Sequence, residues 1–525
     1  MYGNTTTDLS LNIPARCLTS IPNDTQHHRF LVAPCALPSS EDTPEGNRGI
    51  INPLYLLRYH EDMNELTMDA SLAFPAEDGG AGAAAGGEIW NCSSCPFDKT
   101  LVVTNREMTT GNGAETVLWR IPAEAMKEDE YDPYYQEEEE DPYQSTMYDK
   151  GSSNSSLEAN HPTLEQVVNL SHLQSDHPSL TSSSTDPTNA WTGRISDMAW
   201  NPDSFPELND SITSHTSTSA NGATFLTVEQ GTHIVTTWDL NASCPSRIDD
   251  VSLSYPTTPR RRGRLDTWTV HPKLSWDPHN TNTCAVTQGS HVHFMDLRSS
   301  PHSMGGLKGC HALGVTHIDH NPNKPHVICT SGQDGLVKFW DVRYVSSSLY
   351  EDGEEAVGTS WRRQEPIKIL RGGHSHWTTT VKYNPNHDQL LLSGGTDGIV
   401  NLWRISSISS APLLDLGDAM QEGSGRGGAI THAFSDIQVS FESEDNDFHD
   451  RPSSMFSPVS SADEKSVNTE GGNAPDVRVN NMEMSEAVYD VAWSAADPWV
   501  YLSLGFDGTV SLNHVPSEEK YKILL

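Results

Sequence analysis

Side chains of the three types that form a hydrolase triad occur together in one part of the 525-residue chain: His376, Ser393 and Asp397. Trp403 follows them. The Asp begins an Asp-Gly pair, and such pairs recur six residues before the Trp position of a repeat, at Asp334, Asp397 and Asp507. A triad is recognised by a geometry that occurs once, whereas recurrence indicates a scaffold. We therefore predict that His376, Ser393, Asp397 and Trp403 form a buried hydrogen-bonded set that fixes a turn.

The eight cysteines offer a second possible chemistry. Cys92 and Cys95 form a Cys-x-x-Cys pair, but no second pair for zinc and no strand-to-helix junction for redox catalysis accompanies them. The cysteines are scattered over apolar, strand-like segments, which predicts reduced, buried thiols rather than a disulfide framework. The sequence also lacks a Gly-rich phosphate loop, an activated-nucleophile signature and a metal-spaced cluster. It therefore predicts a protein that is not an enzyme and has no cofactor.

Charge excludes further classes of ligand. Lys and Arg number 33 and Asp and Glu number 71, which gives a net charge of −38. A polyanion repels phosphate backbones and anionic lipid, so we expect neither nucleic acid as a partner nor direct adsorption to membranes. No stretch approaches the roughly 20 apolar residues of a membrane helix, and no secretory leader is visible. The expected compartment is the cytoplasm.

The elements that must position these residues recur along the chain. Aromatic-x-Pro segments, such as Tyr383-Asn384-Pro385, precede a Trp-Asp-like dipeptide, here Trp403-Arg404, by 20 residues. Asp-Gly between two apolar runs predicts a tight turn between strands. Each unit thus reads as three strands followed by a fourth, which is the WD-repeat unit of a β-propeller blade. Trp positions of these repeats include Trp119, Trp238, Trp340 (followed by Asp341) and Trp403.

Six clear repeats and a degenerate N-terminal one predict an all-β fold, a single seven-bladed WD-repeat propeller spanning residues 1–525. Its third strands end near residues 119, 238, 295, 340, 403 and 513. Long polar segments, several of them acidic, are predicted to be disordered insertions: 75–87, 121–160, 174–190, 203–222, 241–264, 344–364 and 411–484. Removing them leaves about 45 residues per blade, which is typical. Either residues 9–13 or residues 521–525 could complete the last blade.

Large aromatic residues are predicted at the entrance to the central channel. The first residues of the innermost strands line this entrance, and by alignment they are Trp90, Ser196, Pro272, Thr316, Thr379 and Tyr489. Trp377 lies two residues earlier in its blade. Aromatic side chains at a rim are good hot-spot candidates, so Trp90, Trp377 and Tyr489 are the predicted partner-binding rim. The alternative is that these rings pack between blades.

Two charged segments leave alternatives open. The acidic run at 137–141 is interleaved with tyrosines and is either a solvated loop or a short linear motif for a partner. The basic run at 260–264 is either a solvated loop or a nuclear-import or acidic-partner site.

The C-terminal third carries more specific segments: Gly-Gly-His-Ser-His-Trp at 372–377, Tyr-Asn-x-x-His-Asp-Gln-Leu-Leu-Leu at 383–392, and residues 488–499. Together with residues 87–90 and 118–122, they resemble the EARP and GARP complex-interacting protein family. The resemblance implies a non-enzymatic adaptor that binds the endosome-associated recycling and Golgi-associated retrograde tethering complexes. It implies roles in endosome-to-Golgi retrograde transport and endocytic recycling. The implied state is a monomeric propeller in a larger assembly, recruited by partners to the trans-Golgi network and endosomes.

The alternative function is a different scaffold role: a WD-repeat substrate receptor or a subunit of a ubiquitin-ligase or chromatin complex. The basic loop at 260–264 is its support.

Overall fold

The fold is given by a computed structural model. It describes residues 7–36, 52–75, 87–107, 114–126, 162–172, 194–202, 224–230, 234–240, 246–253, 271–298, 303–343, 361–362, 364–411 and 476–524. The acidic run at 137–141, the basic run at 260–264 and Cys244 lie outside these ranges.

Seven sheets account for the strands of the described residues, and all their strand pairs are antiparallel except one. The first strand, β1 (Thr7–Ser10), belongs to the last sheet. Blades one to three follow in chain order: β2 (Ala15–Ser20), β3 (His28–Pro34), β4 (Leu54–His60) and β5 (Glu65–Leu72); β6 (Glu88–Ser94), β7 (Leu101–Glu107), β8 (Ala114–Arg120) and β9 (Glu165–Asn169); β10 (Ile195–Trp200), β11 (Phe225–Glu229), β12 (Ile234–Asp239) and β13 (Ser246–Ser252).

The remaining blades have the same plan, with one added strand. Blade four holds β14 (Leu274–Trp276), β15 (Thr283–Gln288), β16 (His291–Asp296) and β17 (Ser303–Leu307); blade five holds β18 (Val315–His320), β19 (Val327–Gly332), β20 (Val337–Asp341) and β22 (Lys368–Leu370). The added strand, β21 (Trp361–Arg362), lies between β20 and β22 in sequence. It pairs parallel with β17 at the edge of blade four. Blade six holds β23 (Thr378–Tyr383), β24 (Leu390–Gly395), β25 (Ile399–Arg404) and β26 (Val477–Glu483); blade seven holds β27 (Val488–Trp493), β28 (Val500–Gly505) and β29 (Thr509–His514).

The ring closes at the N-terminal end. Strand β1 pairs antiparallel with β29, from Thr7 opposite Leu512 to Ser10 opposite Thr509, and so supplies the fourth strand of blade seven. The innermost strands β2, β6, β10, β14, β18, β23 and β27 contact one another in that cyclic order, and β27 contacts β2. Of the two ends that the sequence left open, the C-terminal one forms an α-helix instead, α1 (Ser517–Leu524). Short 3-10 helices occupy Ala123–Met126 and Leu170–His172.

The core lies between blades. The described residues hold seven buried apolar clusters, one at each of the seven blade interfaces. The cluster between blades six and seven joins Leu392 and Leu402 to Val491 and Tyr501. Both faces of each central strand are therefore buried, which is why β24 (Leu-Leu-Leu-Ser-Gly-Gly) is buried along its whole length rather than alternating. The predicted seven-bladed propeller is confirmed.

The predicted insertion boundaries need correction, because strands lie inside three of the predicted insertions and a 3-10 helix lies inside a fourth. Segment 241–264 contains β13, segment 344–364 contains β21, and segment 411–484 contains β26. Segment 121–160 begins with the 3-10 helix at Ala123–Met126. These pieces are short and polar, so they lack the apolar pattern by which a strand is recognised in sequence; pairing to the blade edge orders them. Most of segment 75–87, and all of 174–190 and 203–222, lie outside the described residues.

Candidate functional site

A repeated hydrogen bond fixes the middle of four blades. The indole Nε1 of each repeat Trp donates to a hydroxyl oxygen on the neighbouring strand at 2.9 Å, in the pairs Trp119–Thr104, Trp238–Thr227, Trp340–Thr330 and Trp403–Ser393. These Trp side chains are buried. A buried indole N–H without a partner would cost about 1–3 kcal/mol, so the hydroxyl explains why the blade keeps a Thr or Ser there.

In blade five, a His and an Asp complete this set. His311 bonds to the carboxylate of Asp334 through Nδ1 at 2.7 Å and to the hydroxyl of Thr330 through Nε2 at 2.9 Å. Although burial alone would raise the pKa of Asp334, the hydrogen bond with His311 lowers it to about 2. The carboxylate also accepts from Leu336 N–H inside the turn, and Gly335 takes a φ of 73°. A chain of hydrogen bonds thus holds the turn, and it joins Trp340, Thr330, His311 and Asp334.

In blade six the same role belongs to His374, and the prediction of His376 is wrong. His374 contacts Asp397 through Nδ1 at 3.2 Å and Ser393 through Nε2 at 2.8 Å, and its side chain is 1% exposed. His376 is exposed and bonds to Thr396. The sequence contains the deciding signal: His311 precedes Asp334 by 23 residues, and the same offset from Asp397 selects His374.

The two histidines permit a matched stability test. His374→Ala leaves the buried Asp397 carboxylate without its imidazole partner, and we expect a loss of about 2–3 kcal/mol in the free energy of unfolding. His376→Ala removes only an exposed ring and should change stability by less than about 0.5 kcal/mol. Thermal denaturation of both full-length variants measures the difference. Equal melting temperatures would contradict the assignment.

The other predicted repeat residues lie in turns. Asp507 accepts from Thr509 N–H at 3.0 Å and from Ser485 Oγ at 2.6 Å; the residue 23 positions before it, where the His stands in blades five and six, is Met484. Asp341 follows Trp340 at the end of β20 and pairs with the exposed Arg343 guanidinium.

The innermost strands share a β-bulge that turns one residue toward the channel. In six of seven blades the strand register shifts across one residue near the start of the strand: Arg16, Trp90, Ser196, Thr316, Thr379 or Tyr489. A bulge releases its residue from the ladder and redirects its side chain. Five of these are the residues predicted at the entrance, and the sixth, Arg16, is the equivalent residue of the degenerate blade. In blade four, β14 begins later, at Leu274, and the predicted Pro272 precedes it.

Hydroxyl groups at these bulges bind neighbouring blades together. Ser196 donates to the carbonyl of Pro272 at 2.7 Å, and Thr379 donates to the carbonyl of Val488 at 2.6 Å. Thr316 donates to the carbonyl of Thr378 in the same way. Because each bond joins one blade to the next at the channel wall, these positions set the diameter of the entrance.

In blades three and seven the residue after the bulge residue is an aspartate, and its carboxylate also joins neighbouring blades. Asp197 accepts from Asn91 Nδ2 at 3.0 Å and from Leu274 N–H at 2.8 Å, so it joins blades two, three and four. Asp490 accepts from Lys382 Nζ at 2.8 Å and from Leu18 N–H at 3.1 Å, so it joins blades six, seven and one. The ring is therefore rigid where it would present a binding surface.

Asp319, in the wall of the channel, predicts a pH dependence. Its carboxylate accepts from Tyr383 N–H at 2.9 Å, yet burial raises its pKa to about 7. A carboxyl whose folded pKa exceeds its unfolded value binds the proton more tightly when folded, so stability falls as pH rises from about 4 to 7. Asp319→Asn keeps an acceptor and removes the charge.

We expect Asp319→Asn to be more stable than the parent chain by about 1–3 kcal/mol at pH 8 and equally stable at pH 4. Chemical denaturation at both values measures this. Asp490→Asn serves as the control and should lose stability at pH 8, since it weakens the ion pair with Lys382. An Asp319→Asn variant that is less stable at pH 8 would contradict the account.

The three predicted rim aromatics line one cavity at the entrance of the channel. The cavity has a volume of about 590 Å³, and we call its opening, formed by Arg16, Trp90, Trp377, Thr379 and Tyr489, the channel mouth. A second cavity of about 380 Å³ continues past His317 and Lys382 toward the opposite end. The structure therefore brings Trp90, Trp377 and Tyr489 to one place, although they come from blades two, six and seven.

The aromatic rings of the channel mouth are supported from the side. The Arg16 guanidinium lies 4.6 Å from the centroid of the Trp90 ring and pairs with Glu88 at 2.9 Å. The Trp377 ring stacks on His376 at 5.3 Å, and the exposed Tyr489 ring lies 5.1 Å from Phe506. His376, which does not belong to the buried hydrogen-bonded set, thus supports the Trp377 ring at the channel mouth. The rings do not pack in the cores between blades, which are formed by other residues.

Over the described ranges, no group of His, Cys, Asp and Glu side chains is arranged to hold a metal ion. In the same residues no helix has the length and apolar character needed to cross a membrane. The seven cysteines with described positions are buried and free.

Comparison with known proteins agrees with this architecture. A family model described as EIPR1 beta-propeller matches residues 266–403. The human EARP and GARP complex-interacting protein 1 is 25% identical over 517 residues, covering 98% of this chain and 97% of that protein. Over nearly its whole length the chain is similar to proteins named EARP and GARP complex-interacting protein 1. The resemblance predicted from the sequence is confirmed.

The homology extends beyond vertebrates. EARP-interacting protein 1 of Caenorhabditis elegans is 29% identical over 251 residues, which cover 48% of this chain and 52% of that protein. WD repeat-containing protein DWA2 of Arabidopsis thaliana is 23% identical over 510 residues, covering 96% and 95%. These relatives are named as interacting or WD-repeat proteins, which agrees with the adaptor class that the propeller indicates.

Proposed function

We propose that this chain is a non-enzymatic adaptor whose channel mouth binds EARP- and GARP-type tethering complexes. Its role would be in endosome-to-Golgi retrograde transport and endocytic recycling. The observation that carries the proposal is the convergence of Trp90, Trp377 and Tyr489 on one rigid opening of the ring. Aromatic side chains at a partly buried concave site are the usual anchors of protein interfaces. Homology to proteins named for these complexes supplies the partner class.

Rigidity favours recognition over catalysis. The bulge hydroxyls and the carboxylates Asp197 and Asp490 bind each blade to its neighbours, so a partner meets a preformed surface. Preorganisation lowers the entropy lost on binding. The Ser, His and Asp side chains that resemble a triad are occupied in holding turns. We propose that the chain acts as a monomeric propeller within a larger assembly, without nucleic acid or cofactor.

The net charge of −38 bears on where the protein acts. A strongly negative surface is repelled by the anionic cytoplasmic leaflet. We therefore propose that the protein is cytoplasmic and reaches the trans-Golgi network and endosomes through its protein partners.

Affinity purification of the tagged full chain from native cytosol, with mass spectrometry of the bound proteins, tests the proposal. A second bait lacks residues 127–160 and 412–475, boundaries that spare the 3-10 helix at Ala123–Met126 and strand β26. We expect tethering-complex subunits with both baits. Recovery with the intact bait alone would place the binding site in the deleted segments instead of the channel mouth. Recovery of ubiquitin-ligase or chromatin subunits in their place would contradict the proposed partner.

A further inference from the structure

Two cysteine thiols meet in the wall of the channel between blades one and two. Cys17 lies on β2 and Cys92 on β6, and their sulfur atoms are 3.4 Å apart. Both residues line the 590 Å³ cavity and are 7% and 4% exposed, so a small solute in the channel would approach them from this cavity. Cys95, the other member of the Cys-x-x-Cys pair, lies beyond the end of β6 at Ser94, and the contacts given for the Cys92 sulfur are with Cys17. The structural partner of Cys92 is therefore Cys17.

The hydrogen bonds around the pair give the two sulfurs different roles. Cys17 Sγ accepts from Cys92 N–H at 3.3 Å and from the Cys92 thiol, and the Cys17 thiol can itself donate to the Cys92 carbonyl oxygen at 3.4 Å. The bond to Cys17, together with burial, raises the pKa of the Cys92 thiol well above its ordinary value, so Cys92 keeps its proton. The ammonium of Lys382 adds positive charge near both sulfurs. In the bond between the two sulfurs Cys92 is the donor and Cys17 the acceptor, so a sulfur oxidised at Cys17 would have a second thiol in contact with it.

We propose that Cys17 and Cys92 are a redox modification site that forms a reversible disulfide between blades one and two when a hydroperoxide enters the channel. The Cys17 sulfur attacks the terminal oxygen, the O–O bond breaks, the Cys17 thiol proton passes to the departing oxygen, and a sulfenic acid forms together with water or, from an organic hydroperoxide, an alcohol. Cys92 sulfur then attacks Cys17 sulfur; the S–S bond forms and a second water leaves with the Cys92 proton. Two thiols are oxidised and one peroxide is reduced.

The geometry permits the bond. A disulfide requires about 2.05 Å between sulfurs, so the pair must approach by about 1.4 Å from its separation of 3.4 Å. The two residues already belong to strands in contact, and Cys17 lies beside the bulge at Arg16 where β2 departs from a regular ladder. The closed loop would span about 75 residues and restrict the unfolded chain, so the oxidised protein should be more resistant to unfolding.

The experiment treats the reduced full-length protein with hydrogen peroxide and then alkylates all remaining thiols under denaturing conditions. We expect the oxidised chain to lose two alkylation sites, to yield one Cys17–Cys92 cross-linked peptide, and to regain both sites after dithiothreitol. Its melting temperature without reductant should rise by several degrees. Cys17→Ser and Cys92→Ser should each abolish the cross-link, while Cys95→Ser should form it normally.

Three results would overturn the proposal: a cross-link from Cys92 to Cys95 or to any other cysteine, irreversible oxidation of Cys17 with Cys92 still free, or full alkylation of both residues after peroxide. Circular dichroism of each variant shows whether a missing cross-link follows from failure to fold. If Cys17→Ser does not fold, the parent chain's peptide map alone decides the question. None of these readouts depends on tethering complexes, so the proposed function can fail while this site stands.

Discussion

The triple variant Trp90→Ala, Trp377→Ala and Tyr489→Ala should lose capture of tethering-complex subunits by at least about tenfold while remaining folded. Interface aromatics removed from a concave site commonly cost about 2 kcal/mol or more each in binding. The three rings lie at the channel mouth, outside the apolar clusters between blades, so their removal leaves the core intact. Quantitative mass spectrometry of the purified complexes measures capture, and thermal denaturation checks the fold.

A matched control separates the channel mouth from general loss of exposed apolar surface. Met63, Met68 and Tyr521 are 63%, 48% and 64% exposed and do not line the channel cavity. Their triple replacement by Ala removes similar surface away from the mouth and should leave capture unchanged. Normal capture by the mouth variant, or equal losses from both variants, would show that the mouth does not provide the binding surface.

Removal of residues 1–10 should have the largest effect on the ring itself. It deletes β1, frees the edge of β29 and removes Leu9 from the cluster between blades seven and one. A lost ladder of this length costs about 3–5 kcal/mol at roughly 1 kcal/mol per hydrogen bond. We expect the melting temperature to fall by about 5–8 °C and the exposed edge to promote aggregation.

Removal of residues 521–525 is the comparison. It shortens α1 but spares Glu519, which pairs with Arg404 at 2.6 Å inside the protein. Tyr521 and Leu524 are exposed, so the melting temperature should change by less than about 3 °C. Scanning calorimetry of both truncations decides between the ends; greater damage from the C-terminal deletion would contradict closure by β1.

The propeller was predictable because its signals are local and repeated. The Asp-Gly turns appear as positive φ values at Gly335, Gly398 and Gly508, and the apolar runs between them are the strands. Closure was not predictable, because both ends carry a short apolar segment and only pairing across the ring selects one. In β1 the burial alternates as in an edge strand, whereas the C-terminal segment contains good helix formers after Pro516.

The position of the channel mouth was predictable from the sequence, but the contacts around its residues were not. Alignment of the repeats placed Trp90, Thr379 and Tyr489 at equivalent sites, and the structure brings them to one cavity. The β-bulge behind those positions leaves no mark in a single sequence, and neither does the contact between Arg16 and Trp90 across two blades. The choice of His376 over His374 failed for a different reason: two histidines two residues apart both fit a loose spacing, and only comparison with His311 separates them.

We propose that the propeller itself binds a tethering complex through its channel mouth. Titration of purified EARP and GARP complexes with the purified full chain, followed by isothermal calorimetry, tests it most directly. We predict saturable binding by the parent chain, retained by the control variant with Met63, Met68 and Tyr521 replaced, and weakened at least about tenfold by the variant with Trp90, Trp377 and Tyr489 replaced. No binding of either complex by the folded parent chain would contradict the account.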